Sequence, residues 1–187
     1  MLICLEEHKL YAEITGFRRV RIESTAELAD ATRHVKEDNT LIQFLNAELV
    51  ATWEHLYFAL LNAVVSFENS CNISKSLGVE VMLYASTQNQ ITKAIDLVGV
   101  KNGCVDLAVV LVGSNEKSVE TTMSTVKERL GKDPDESVLE LSRNKTQKIR
   151  EAFEISESEI GATNSDSAEK AVVNLIIERM ALLAATV

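Results

Sequence analysis

Proline occurs once in 187 residues and glycine seven times. The lone proline, in Gly131-Lys-Asp-Pro134-Asp, marks a turn between two elements and not a boundary between domains. Cysteine is as scarce: Cys4, Cys71 and Cys104 are odd in number and far apart, which excludes a disulfide framework and any paired metal-ligand spacing. Cations are in deficit, 19 Lys and Arg against 28 Asp and Glu, for a formal charge of −9. A chain of that charge does not hold nucleic acid by its overall field, so any RNA contact has to be local. Long apolar runs are missing too. The start, MLICLEEHKL, turns charged too soon for a signal peptide or a membrane span, so the expected location is cytoplasmic, with no role for the sequons at Asn72 and Asn144.

What is present is apolar content, 46% of the chain, enough for one substantial core, and no internal repeat. Residues 10–22 pattern as β-structure, and Ser24-Thr-Ala-Glu27 reads as a capping box opening a helix to about Asp38. Leu41 to Ala47 predicts a strand. Thr52 is placed to cap a helix over 53–68, whose wheel sets His55, Asn62 and Ser66 on a polar stripe opposite a buried arc of Trp53, Leu56, Leu60, Ala63, Val64 and Phe67. Further along, the pattern predicts a strand at Val79–Ala85, a helix at Gln90–Val98 and a nearly continuous apolar strand at Cys104–Val112. Helices at about 115–130, 144–153 and 167–185 follow, with a short strand at Ser137–Leu141. Glu154 to Glu169 carries five carboxylates and no Lys or Arg, and is expected to be a flexible acidic connector, about 154–166, before the last helix. The alternation gives an α/β (α+β) fold, a mixed central β-sheet packed with helices in a single domain.

Catalytic patterns are near-misses. Gly113-Ser-Asn-Glu-Lys117-Ser118, between an apolar strand and a helix, resembles half of a phosphate loop, but lacks the longer spacing and second glycine that turn several N–H groups onto phosphates. Capping by Ser114 or Asn115 is the simpler reading. His8, His34 and His55 stand in separate elements without metal-ligand spacing, and no nucleophile triad or dinucleotide fingerprint is recognisable. The expectation is a binding protein without metal or cofactor. A small phosphate-binding or nucleotide-using enzyme built on Gly113–Ser118 is the alternative.

The last helix argues for a protein partner. Its main apolar stripe holds Ala168, Ala171, Val172, Leu175, Ile176, Leu182 and Leu183, and a second arc holds Val173, Ile177, Met180, Ala181 and Ala184. A helix resting on its own core needs one stripe, so the second must be covered by this chain, by a second copy or by another protein. The densest basic run is Arg143-Asn-Lys145-Thr-Gln-Lys148-Ile-Arg150, with a smaller one at Arg18, Arg19 and Arg21.

Three segments carry a family resemblance: LIQFLNAELVATWEHLYFALLNA at 41–63, VEVMLYASTQNQITKAIDLVGVKNG at 79–103 and VVNLIIERMALLA at 172–184. In order and spacing they resemble the TPRKB-like kinase-binding accessory subunits of the KEOPS (EKC) complex. The resemblance implies a non-catalytic, cytoplasmic subunit of a hetero-oligomer that binds and regulates the protein-kinase-like ATPase of that complex, with the second arc as its interface. It also implies a role in recruiting tRNA, through its single-stranded 3′ end, for threonylcarbamoyladenosine modification. The family reads close to S-G-x-R-Q-I where this chain has Ser86-Thr87-Gln88-Asn89-Gln90-Ile91, so the glycine and the arginine are absent. The expected RNA contacts are Ser86, Gln88, Asn89 and Gln90, joined by Lys145 and Lys148 of the basic run and by His55, which has a counterpart in the family pattern.

Overall fold

The computed structural model describes residues 2–25, 28 and 40–186. Its contacts divide the chain into two compact units, each assembled from two separate stretches: residues 1–47 with 100–138, and 48–99 with 139–187. The helix expected from Ser24 to Asp38 lies mostly outside the described residues.

The first unit is a four-stranded sheet: β1 (Leu2–Leu5), β2 (Leu10–Ile22), β3 (Leu41–Asn46) and β4 (Gly103–Gly113). The order is β1-β2-β4-β3 and every pairing is antiparallel, so the α/β class is as expected while the sheet is not mixed. The apolar run that suggested a central strand is β4, which pairs on both edges and is buried from Leu107 to Gly113. Period-2 alternation puts Leu107, Val109 and Leu111 into one core with Phe17, Val20 and Phe44, closed by Val119, Met123 and Val126 of α4 (Glu116–Leu130). A bulge between Phe17 and Val20 sets Arg19 at φ 51, and its N–H donates to the Asp106 carboxylate at 2.7 Å. The turn at Pro134 is pinned to β2 as well: Asp135 N–H donates to the Gly16 carbonyl at 2.7 Å, and Arg18 pairs with the Asp135 carboxylate at 2.7 Å. A Cβ on Gly16 would meet Val138 Cγ2 at 1.9 Å, which explains a glycine inside a long strand.

The second unit is helical. It holds α1 (Trp53–Glu68), α2 (Leu77–Ser86), α3 (Ile91–Val98), α5 (Arg143–Ala152), α6 (Glu157–Ala162) and α7 (Ala168–Thr186). The strand expected at Val79–Ala85 is the body of α2. Residues 80–86 are all buried, so no polar stripe marks the 3.6-residue period, and a short apolar run reads equally well as a core strand. Ser137–Leu141 overlaps a 3-10 turn at Glu136–Leu139 and forms no strand. The acidic stretch after Glu154 contains α6, opened by a full capping box between Ser156 and Glu159. Glu159 goes on to pair with Arg179 of α7 at 2.7 Å, which anchors a segment whose composition alone suggested a solvated connector.

Two buried polar side chains join α1 to α2. Ser66 Oγ lies 3.5 Å from Glu80, whose two carboxylate oxygens accept the N–H groups of Ile73 at 3.1 Å and Ser74 at 2.7 Å, fixing the connection between the helices. At the other end His55 Nδ1 accepts the Ala51 N–H at 3.0 Å, so the ring proton sits on Nε2 and is donated to the Ala85 carbonyl at 2.7 Å. The polar stripe read from the wheel therefore points inward at His55 and Ser66, because both find hydrogen bonds there. Trp53, assigned to the buried arc, is 38% exposed. Thr52 occupies the N-cap position of α1, but its hydroxyl makes no capping bond.

Two expectations follow. Burial pulls the His55 pKa down to about 4, against the opposing hydrogen bond to Ala85 and with Lys145 adding to the fall. The unfolded chain takes a proton near pH 6.5, whereas the fold refuses it until about pH 4. The stabilisation is therefore complete above pH 6.5 and lost as pH falls towards 4. Urea titrations should show on the order of 3 kcal/mol disappearing over that interval. His55→Leu should lack that component while starting about 1–3 kcal/mol lower, with Ala51 N–H and the Ala85 carbonyl left unpaired. Separately, Thr87 ends α2 in the left-handed region at φ 54, its N–H and that of Gln88 returning to the Tyr84 and Leu83 carbonyls. A β-branched residue is strained there, and this is the place where the TPRKB-like pattern has glycine. Thr87→Gly should stabilise by about 1 kcal/mol and raise Tm by roughly 2–4 °C in a thermal scan.

Candidate functional site

The C-terminal helix α7 rests on α1, α2, α5 and α6. Its buried side is Ala171, Val172, Leu175, Ile176, Met180 and Leu183. Three residues differ from the sequence reading, the first being Ala168, which was expected on the main stripe and is exposed. Met180, expected on the partner-facing arc, is fully buried, since it falls next to the Ile176 and Leu183 edge of the core stripe. Leu182, expected in the core, is 60% exposed. The rest of the second arc forms an outward row: Val173 and Ile177 half-buried, Ala181 and Ala184 exposed. That row is apolar and carries no hydrogen-bonding side chain.

The orientation of α7 is fixed by Arg179. Its guanidinium donates to the Phe153 carbonyl and to Glu159, while the Phe153 ring meets His55 edge-on with centroids 6.0 Å apart. Hydrogen bonds from Ser156 N–H and its hydroxyl, together with Arg179, pull the exposed Glu159 carboxyl down to a pKa of about 2. The partner row is thus presented by a helix whose opposite flank is tied at defined points.

A second apolar surface lies on α1, which the wheel analysis missed by assigning Trp53 to the core. Phe58 and Val65 are exposed with Trp53, and Tyr57 and Leu61 are half-buried between them. These positions follow i, i+4, i+8 and i+12, with Phe58 beside them, so they form one stripe along α1, bordered near Trp53 by the buried Leu60 and Val64. The ring centroids of Trp53 and Tyr57 are 5.8 Å apart and those of Tyr57 and Phe58 are 5.5 Å apart.

The expected RNA contacts are not brought together. His55 and Ser86 are fully buried, His55 in the clamp described above and Ser86 with its hydroxyl donated to the Leu83 carbonyl at 3.0 Å, so neither offers a surface to RNA. Because Val79–Ala85 is helical, the loop Thr87–Gln90 joins two helices, α2 and α3, in place of a strand and a helix. In it Gln88 is half-buried, while Asn89 and Gln90 are exposed, Gln90 at the N-cap of α3. Lys148 is exposed and pairs with Glu48 at 2.8 Å, and Lys145 is half-buried with its ammonium 3.4 Å from the Glu140 carbonyl. Arg150 pairs with Glu157 at 2.5 Å, so the basic run is largely spent on local partners. Arg18 is likewise committed to Asp135, and Arg21 lies 3.7 Å from Glu23.

Gly113 to Ser118 is a capping turn. Asn115 Oδ1 accepts the Ser118 N–H at 2.9 Å, and Ser118 Oγ donates to the Asn115 carbonyl at 2.8 Å. Only Ser114 and Asn115 separate β4 from α4, too short a loop to encircle a phosphate. Among the described residues no group of three or more His, Cys, Asp or Glu could hold a metal ion, and no helix is long and apolar enough to cross a membrane.

Residues 17–184 match the model of the family described as kinase binding protein CGI-121. The chain is also similar to the regulatory protein Cgi121 of Methanocaldococcus jannaschii, with 34% identity over 141 residues, covering 75% of this chain and 81% of that protein. Matches of that extent, spanning both the sheet and the helical unit, establish the family: the chain belongs to the CGI-121 kinase-binding proteins, the Cgi121/TPRKB-like family that its three anchor segments resemble.

Proposed function

We propose that this protein is a non-catalytic, cytoplasmic accessory subunit that binds and regulates the protein-kinase-like ATPase of the KEOPS complex, and helps recruit tRNA by its 3′ end for threonylcarbamoyladenosine modification. Membership of a kinase-binding family and likeness to a protein named as regulatory support the kinase partner. The family match runs through both units, which supports reading them as one functional domain. The self-satisfied turn at Gly113–Ser118 favours a binding role over the nucleotide-using alternative.

The observation that carries the docking proposal is the apolar row Val173, Ile177, Ala181 and Ala184 on a helix anchored along its other side. Ile177→Asp should weaken capture of the kinase-like subunit by about two orders of magnitude in calorimetry, since a desolvated, unpaired carboxylate costs roughly 3 kcal/mol or more, while the far-ultraviolet dichroism stays native. Met180→Glu should instead fail to fold, because it places the charge in the core. Unchanged binding by Ile177→Asp, with Phe58→Asp abolishing it, would move the interface to α1.

For RNA, the exposed amides of Asn89 and Gln90 at the start of α3 remain available for base edges of a single strand. Binding should be weak and only modestly salt-dependent, because few cations are free to release counterions. Removing the 3′ tail should reduce affinity more than altering the anticodon arm. Lys145→Ala with Lys148→Ala should weaken binding across tRNA sequences without selectivity. Equal filter-binding affinities for tailed and tailless tRNA would remove the RNA role.

A further inference from the structure

A soluble helix packed on one side ordinarily shows polar residues on the other. On α1 the outward side carries Trp53, Tyr57, Phe58, Leu61 and Val65 over more than three turns, with Glu54 and Glu68 on the same side in its first and last turns. The three aromatic rings touch in succession, which pre-orders large contact area at little entropic cost. Asn62 does not break the surface, because its amide is folded back onto the Phe58 carbonyl at 2.8 Å. From Trp53 to Val65 the stripe rises about 18 Å, the length of three to four turns of a second helix laid alongside.

Charge selects what covers it. The charged residues of α1 are Glu54 and Glu68, with no Lys or Arg along the helix. Of the five acidic residues in the stretch 48–99, Glu80 is buried and Glu48 pairs with Lys148, which leaves Glu54 and Glu68 on the helix itself and Asp96 against Lys75 and Lys93 elsewhere, within a chain of net charge −9. A second copy would bring the same acidic surroundings against themselves, whereas a basic helix would complement them. We infer that the Trp53–Val65 face of α1 is a docking site for an amphipathic α-helix of a partner protein, apolar on one side and rich in Lys or Arg on its flanks. The mode is a helix laid along an apolar surface, with aromatic anchors at the centre and charge pairing at the rim. It stands apart from the docking proposed for α7.

Trp53 is the only tryptophan, so the site reports on itself. A synthetic helical peptide of about four turns, Leu and Phe on one side and Lys on the other, should shift the Trp53 emission saturably when titrated into the full chain. The same peptide with Glu for Lys should bind at least about tenfold more weakly. Phe58→Ser should reduce affinity for the Lys peptide by about tenfold, the usual effect of losing an aromatic anchor. Val65→Gln, at a position 41% exposed, serves as a second variant should Phe58→Ser unfold. The inference is overturned if the emission does not respond, if both peptides bind equally, or if neither variant changes affinity. A concentration-dependent mass of the free chain that disappears in Val65→Gln would also overturn it, since the occupant would then be a second copy.

Discussion

The helical unit depends on one imidazole. His55 stands in the first turn of α1 and reaches two backbone groups that no helix satisfies internally, the Ala51 N–H before α1 and the Ala85 carbonyl near the end of α2. Burying an aromatic ring with two polar atoms is favourable only when both are paired, and here each has one partner of the right sense. The clamp fixes where α1 begins relative to where α2 ends. Phe153 then closes against the ring, Arg179 holds the Phe153 carbonyl, and Glu159 holds Arg179, so the seating of α7 traces back to the same side chain.

Most elements were legible in the sequence because their signals are local. The β-patterned residues 10–22, the short apolar run of β3, the nearly continuous apolar run of β4, the bounds of α1, the cap at Asn115 and the stop of α3 before Gly99 all follow from patterns within about a dozen residues. Failures occurred where burial is decided from a distance. Every residue of Val79–Ala85 after Val79 is buried, so its composition carries no periodic contrast and its helix cannot be told from a strand. The wheel set His55 and Ser66 opposite the buried arc because it does not show their partners, Ala85 and Glu80, which are remote in sequence. The acidic segment looked unstructured because the residue that anchors Glu159 lies twenty positions further on.

The candidate site was legible in outline and misplaced in detail. The second arc of α7 was recognisable from its spacing, but a wheel at 100° per residue cannot decide an edge position, and Met180 and Leu182 exchanged roles across that edge. The aromatic face of α1 was hidden for the opposite reason: on a helix apolar nearly all round, hydrophobicity does not say which side the core takes. Polar residues settled it, against the usual rule, by pointing inward. Two outward apolar surfaces on helices with fixed backs fit a protein whose work is to be held by others.

Glu80 gives the structure one more property. It holds the connection between α1 and α2 through the main-chain N–H groups of Ile73 and Ser74, not through their side chains. Within the stretch Asn72, whose amide donates to the Ser74 carbonyl, and Ser74, whose hydroxyl accepts the Ser76 N–H, add side-chain bonds that shape the loop, so Cys71 and Ile73 are the positions left to vary. Substitutions at Cys71 or Ile73 can alter what the loop shows to solvent while the loop keeps its course, whereas a change at Asn72 would remove its amide from the Ser74 carbonyl and a change at Glu80 would release the backbone. Descendants of this chain are free to diversify there, and the buried acid is where that freedom ends.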